Sequence, residues 1–462
     1  MNIKHRVISM SLIAALTVSI GILVWLLVRT VPETQAAVQS VESGGYMLPE
    51  SSFQSSETSS PSSGEPDSSQ SSGQSSKGTE SPQALLAQPE SAEASSVATK
   101  PPVSSKPPVS SKPEVLPSPD KSEGGYLVGY YSSWARNGGF TADKLKAGLL
   151  THINYAFADI SPAGLLQLAN PTSDLKNFED LRRLKSANPH LKTMISVGGW
   201  DYSSHFSVAA ATEASREAFA QSCLDFIRTH GFDGVDLDWE FPKTSEKENF
   251  TKLLSAIRKK LDAQSAADGK QYHLTIAGGA GNGYLNTIEA AKISGIVDYI
   301  FLMGYDMHGP WDSYADLNAP LYTPEESSPQ YKLSVSQAVQ NYLKQGVPAG
   351  KLVLGMPFYG YQYQTSQGLY GTFTSAKSIS FDKLSANYLT NPAFQHSFHS
   401  VGKVPTLFSG TTFLSYDDEA SIAEKAAYAR SQSLGGIGAW ELSHDQNGTL
   451  LTSAWNSFFS GR

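Results

Sequence analysis

The chain has 462 residues, 35 basic and 43 acidic, for a formal charge of −8. The first 124 residues and the remainder each carry −4, so no basic face marks a nucleic-acid binder. A single cysteine, Cys223, excludes an internal disulfide and any zinc knuckle, leaving a packed core as the source of stability.

Lys4 and Arg6 precede an uncharged stretch over 7–28, closed by Arg29. Twenty-two helical residues reach roughly 33 Å, enough for a hydrocarbon core of about 30 Å. The stretch exceeds a secretory apolar region, so the reading is an uncleaved signal-anchor within 1–38, its basic end inside and the rest of the chain extracytoplasmic. Ala36 and Ala37 leave open a cleaved signal and a secreted protein. Residues 39–124 follow as a disordered Ser/Pro-rich linker; 22 of the 62 residues over 51–112 are serine, and Lys-Pro-Pro-Val-Ser-Ser repeats from Lys100 and Lys106. That composition buries too little apolar area to offset ordering entropy, and as a coil it spaces a domain roughly 50 Å from its anchor.

From 125 to 462 the texture becomes that of a folded domain. Eight short apolar runs, over 126–131, 152–157, 191–197, 232–240, 272–277, 297–303, 352–357 and 436–440, alternate with amphipathic stretches. The clearest of these cover 212–230, 246–268, 334–345 and 418–433. Strands alternating with helices imply a parallel sheet, and eight repeats suggest a closed (β/α)8 TIM barrel, with an open doubly wound sheet as the rival. The surplus between the last two runs predicts a small α+β insertion at about 360–413 on the barrel rim.

Within the fourth run stands Asp233-Gly-Val-Asp-Leu-Asp-Trp-Glu240, four acids in eight residues. Strand side chains alternate faces, so Asp236, Asp238 and Glu240 share one face and Val235, Leu237 and Trp239 the other. With the apolar face under the helices, the acids must point into the barrel. Crowded buried carboxylates raise one another's pKa, which keeps one protonated near neutral pH, as a general acid must be. Glu240 lies nearest the C-terminal end of the run, where barrel active sites sit. No histidine adjoins the cluster in sequence, which favours acid catalysis over a metal site.

This octapeptide resembles the DGxDxDWE signature of glycoside hydrolase family 18, the chitinase family. Ser196-Val-Gly-Gly-Trp200, Met303-Gly-Tyr-Asp306 with His308-Gly-Pro-Trp311, Gly355-Met-Pro-Phe-Tyr-Gly360, Ser415-Tyr-Asp-Asp418 and Gly435-Gly-Ile-Gly-Ala-Trp440 match further family motifs in order and spacing. The resemblance implies a retaining, substrate-assisted glycosidase acting on β-1,4-linked N-acetylglucosamine, without metal or organic cofactor. It makes Glu240 the proton donor, Asp238 the partner of the substrate acetamido group, Asp236 its support, and Tyr305 a donor to the acetamido oxygen. Asp306 becomes a substrate-binding neighbour and Trp440 the floor under the reacting sugar. Gly199, Trp200, Phe241 and Met303 line the groove, and Tyr131 and Phe157, at the ends of the first two strands, join them.

Phe241 stands where the family commonly has tyrosine, and Tyr361 where a basic residue often follows the seventh motif. The expected partners are chitin or another N-acetylglucosamine glycan and, through the apolar span, a membrane; a monomer is expected. Envelope glycans (peptidoglycan or N-linked chains) are the alternative substrates. A chitin-binding lectin is the alternative class, against which the retained Glu240 and Asp238 stand. Cys223 reads as a buried small hydrophobe, His308 as structural, and His444 and Asp445 as a solvated loop.

Overall fold

The computed structural model describes residues 124–327 and 332–459. The apolar span and all of the linker but its last residue lie outside the described residues; among those described, no helix is long and apolar enough to cross a membrane.

The eight apolar runs are eight parallel strands: β1 (Tyr126–Ser132), β2 (His152–Ile160), β4 (Lys192–Gly198), β5 (Gly234–Asp238), β6 (His273–Gly278), β7 (Tyr299–Met303), β8 (Leu352–Pro357) and β14 (Gly436–Trp440). Neighbours pair in the order β1-β14-β8-β7-β6-β5-β4-β2, and β1 also pairs with β2, closing a barrel. The short strand β3 (Leu166–Leu168) pairs antiparallel with the end of β2. The helices start and stop on local chemistry. Thr212 caps Glu213–His230 by accepting the Ser215 N–H at 3.1 Å. Gly231, at φ 79°, ends that helix in a left-handed turn that few other residues adopt cheaply. Asp418 caps Glu419–Ser431 in the same way through the Ser421 N–H.

Two apolar clusters divide the barrel core, and a third, of Ile379, Leu384, Leu407, Leu414 and Tyr416, belongs to the segment between the last two barrel strands. The larger lies between strands and helices and takes the outward residues of β5 and the turn after it, Val235, Leu237 and Trp239, together with Cys223. Burial pushes the Cys223 thiol pKa up, so it stays an inert, protonated filler. The smaller fills the barrel lumen and its mouth, with Val128, Tyr130, Tyr299, Phe301 and Val353 stacked below Phe157, Tyr305 and Trp440.

Between β8 and β14 the chain builds a second, five-stranded antiparallel sheet. Its strands are β9 (Tyr359–Gln364), β10 (Ser375–Ser380), β11 (Gln395–Phe398), β12 (Pro405–Phe408) and β13 (Thr412–Ser415), ordered β10-β9-β13-β12-β11. The helix Phe381–Asn387 follows β10. Alternation along β9 sends Tyr359, Tyr361 and Tyr363 to the face that joins the barrel-mouth cluster.

Candidate active site

Strand β5 delivers the acids as its alternation requires. Asp236, wholly buried, accepts hydrogen bonds from the hydroxyls of Tyr130 (2.8 Å), Ser196 (2.8 Å) and Thr275 (2.6 Å). Burial raises its pKa, and those three donors pull it back. Asp238, one step up the same face, is also buried, and its Oδ1 meets no hydrogen-bond partner among the described residues. Burial, then the charges of Glu240 and Asp236, push its pKa well up. Glu240 stands just past the strand end and is half-buried. Burial, then the Asp306 and Asp201 charges, raise its carboxyl to about 7. Three carboxyl groups thus rise from full burial to the open mouth, with protons held where a general acid needs them. Asp233, the first acid of the motif, belongs elsewhere: Lys185 (2.8 Å) and Lys270 (3.1 Å) pair with it at the start of the strand, and its pKa is lowered.

Ser203 is the hinge pin of this arrangement. The Glu240 N–H donates to its hydroxyl at 2.9 Å, and that hydroxyl donates to the Gly199 carbonyl at 2.8 Å. The turn after β4 is thereby tied to the segment that carries Glu240. Gly199 itself is buried, at φ 71°, and a β-carbon there would stand 2.5 Å from the Phe157 ring. Its lack of a side chain therefore leaves room for that ring at the barrel mouth. Gly199→Ala combines left-handed strain with overpacking, for an expected loss of about 2–4 kcal/mol. Thermal or denaturant unfolding measures it, and a stability change under about 0.5 kcal/mol would contradict the packing described.

Phe157 stacks on Trp440 with centroids 5.7 Å apart and planes 27° apart. Tyr130 and Trp134 each meet the Trp440 indole edge-on, at 5.5 and 6.2 Å. Across the mouth, Tyr305 packs edge-to-face on Tyr359, and Met303 joins the same cluster. Burial, followed by the Asp238 and Asp306 charges, keeps the Tyr305 hydroxyl protonated and able to donate. Asp306 lies at the exposed rim, where the hydroxyls of Tyr359 (2.5 Å) and Tyr361 (2.7 Å) donate to its Oδ1 and its N–H donates to Asn318. Trp200 and Phe241 are also exposed, at 48% and 44%, with Phe241 edge-on to Tyr284 at 5.4 Å.

Tyr131 is the misplaced expectation. Its side chain points out of the barrel, fully buried, donating to the Phe140 carbonyl at 3.0 Å within the outer cluster. The inward residue is Tyr130, whose hydroxyl holds Asp236. Sequence reasoning also missed Ser203 and Trp134, and it named Tyr359 within the seventh motif and Tyr361 just after it without seeing their contact with Asp306. The tyrosines carried a usable signal, since their period-two spacing after the seventh motif marks one strand face. His308 is buried between Asp312, 3.0 Å away, and Ser327, 3.2 Å away, as a structural residue would be. Asp445 departs from its expected solvated loop: it is buried and accepts the N–H groups of Thr449 and Leu451 at the start of the last helix. Its pKa is raised to about 6, by burial first.

A closed barrel with a proton-holding carboxyl row at its C-terminal mouth, walled by aromatic faces, has the make-up of a glycoside hydrolase. The model of glycosyl hydrolases family 18 matches residues 126–445, and the chain belongs to that family. It is 40% identical over 398 residues to chitinase A1 of Niallia circulans, a match that covers 70% of this chain and 57% of that enzyme's length. Among solved structures it resembles a chitinase from Bacillus thuringiensis, with 33% identity, a TM-score of 0.69, and coverage of 73% of this chain and 70% of the other. It also resembles a family 18 N-acetylglucosaminidase from Paenibacillus barengoltzii, with 36% identity, a TM-score of 0.66, and coverage of 72% and 99% respectively.

Proposed function

We propose that the chain hydrolyses β-1,4-linked N-acetylglucosamine in chitin or chito-oligosaccharides, with retention at the anomeric carbon. The observation that carries this reading is the row Asp236–Asp238–Glu240, with a proton available at the outermost acid and an unpartnered oxygen on the middle one. Glu240 gives its proton to the glycosidic oxygen as the bond to the anomeric carbon breaks. The acetamido carbonyl oxygen of the same sugar attacks that carbon, forming an oxazolinium ion. Asp238 accepts the acetamido N–H and offsets the growing positive charge, while Tyr305 donates to the acetamido oxygen. Glu240, now a carboxylate, takes a proton from the water that opens the ring. Trp440 supports the apolar face of the reacting sugar. The names of the relatives, chitinases and an N-acetylglucosaminidase, support the same substrate class.

The apolar stretch over 7–28 and the Ser/Pro-rich spacer support an extracytoplasmic enzyme tethered to its membrane, and the reading needs no second subunit.

Mass spectrometry of the products from soluble chitohexaose tests the assignment: shorter N-acetylated oligomers are expected, and an uncut hexamer would overturn it. The acid's raised pKa sets the alkaline limit. A carboxyl raised to about 7 keeps its proton up to that pH and loses it above, so kcat/KM falls about tenfold per unit beyond the limb. A profile that declines already through pH 4–5, the ordinary glutamate range, would contradict a raised acid.

A further inference from the structure

The insertion sheet carries a second concavity, away from the carboxyl row. Its volume is about 420 Å³, within the range of small-ligand sites. Phe408 supplies a ring face, and Gln367, Gln395, Ser397 and Thr406 supply amide and hydroxyl groups; the His399 imidazole, whose Nδ1 accepts the Gly402 N–H, also lines it, and no carboxylate, lysine or arginine does. Register places it on the same sheet face as the groove tyrosines. Tyr361 pairs with Ser415, Ser415 with Thr406, and Thr406 with Ser397; likewise Tyr363 leads through Phe413 and Phe408 to Gln395. Three strand spacings separate β9 from β11, about 14 Å.

The wall opposite the strands is held in shape. Tyr370 N–H donates to the Ala315 carbonyl at 2.7 Å, and Ala315 N–H donates to Gly371 at 2.8 Å, tying the loop after β9 to the loop after β7. Gln367 uses its Oε1 to accept the Thr372 N–H, which leaves its amide N–H groups for a ligand. The edge strand β11 is exposed along its whole length, so the pocket opens to solvent on that side.

We infer that this pocket is an accessory binding site for a neutral, N-acetylated pyranose unit of a polymeric glycan, separate from the catalytic mouth. The chemistry of the lining selects that class. Ring faces suit the C–H faces of a pyranose. Neutral amides and hydroxyls suit its hydroxyl and acetamido groups, whereas a phosphate or an acidic sugar would find no lysine or arginine there, and the Nδ1 of His399 is already spent on the Gly402 N–H. The inference rests on the proposed substrate class and adds a second point of attachment to the same polymer. Two linked contacts raise the retention of a long chain without altering a short one that fills the mouth alone.

The test compares the full chain with Phe408→Ala, which removes a ring face, and Ser397→Trp, which fills the pocket from an exposed position. Adsorption to insoluble chitin is measured in a Glu240→Gln background, and kcat/KM on chitotetraose with Glu240 intact. Both variants should lower the partition onto chitin by about fivefold or more, while kcat/KM on chitotetraose stays within about twofold. Unchanged adsorption in both variants overturns the site. A parallel fall in kcat/KM would make the pocket part of the catalytic cleft or of its support, and also overturns a separate site. Failure of the unmodified chain to cut chitotetraose would count against the proposed function instead.

Discussion

Glu240→Gln should lower kcat on chitohexaose by about 10²–10⁴, the contribution of a positioned general acid. The amide keeps the shape of the carboxyl but has no proton to give the leaving oxygen and none to take from water. Stability should not fall with activity. A pKa raised to about 7 means that burial and neighbouring charge penalise the ionised form. A neutral amide escapes that penalty, so the thermal midpoint of the variant should equal or exceed that of the parent at pH 8. Loss of activity with an unmoved or raised midpoint separates chemistry from folding. Loss of both would show that the glutamate is chiefly structural.

Asp238→Asn should be nearly as damaging, lowering kcat by about 10²–10³, the range for removing one group aimed at developing charge. Among the described residues the buried Oδ1 has no partner to retain, so an amide NH2 in its place presents a donor where an acceptor is required. The variant also carries a signature that a packing defect would lack. Asp238 and Glu240 face each other as like charges and titrate together, so their apparent pKa values belong to the pair. Removing one charge lets the other ionise more easily, and the alkaline limb of kcat/KM should move to lower pH. An unmoved limb with unchanged kcat would refute the pairing.

The barrel was legible because its strands are short apolar runs set apart by amphipathic helices, and all eight runs are the eight parallel strands. Residue parity was legible only where chemistry broke the apolar monotony. On β5, acids alternate with Val235, Leu237 and Trp239, and the inward face follows without a structure. On β1, Tyr-Leu-Val-Gly-Tyr-Tyr-Ser is apolar or aromatic on both sides, as strands of parallel sheets tend to be. Nothing there tells Tyr130 from Tyr131, and the wrong tyrosine was placed at the site. Asp306 shows a different limit. Its position after β7 was readable, but its partners Tyr359 and Tyr361 lie over fifty residues away, and only the fold brings their hydroxyls to it. Ser203 was invisible for a similar reason: a serine in a loop becomes a positioning residue through one backbone N–H thirty-seven residues on. Asp445 reads as polar loop until the last helix supplies the N–H groups that it accepts.

In the proposed reaction the substrate's own acetamido group serves as the nucleophile, with Glu240 as proton donor. The most direct test sets initial hydrolysis rates of chitohexaose beside those of its fully de-N-acetylated counterpart, a β-1,4 glucosamine hexamer of the same length. Cleavage of the acetylated chain is expected, with a rate at least about 10³ lower on the other, since the attacking oxygen is gone and an aligned intramolecular group contributes several kcal/mol. Comparable rates on both hexamers would show that the nucleophile comes from the protein or from water, and would rule out substrate assistance.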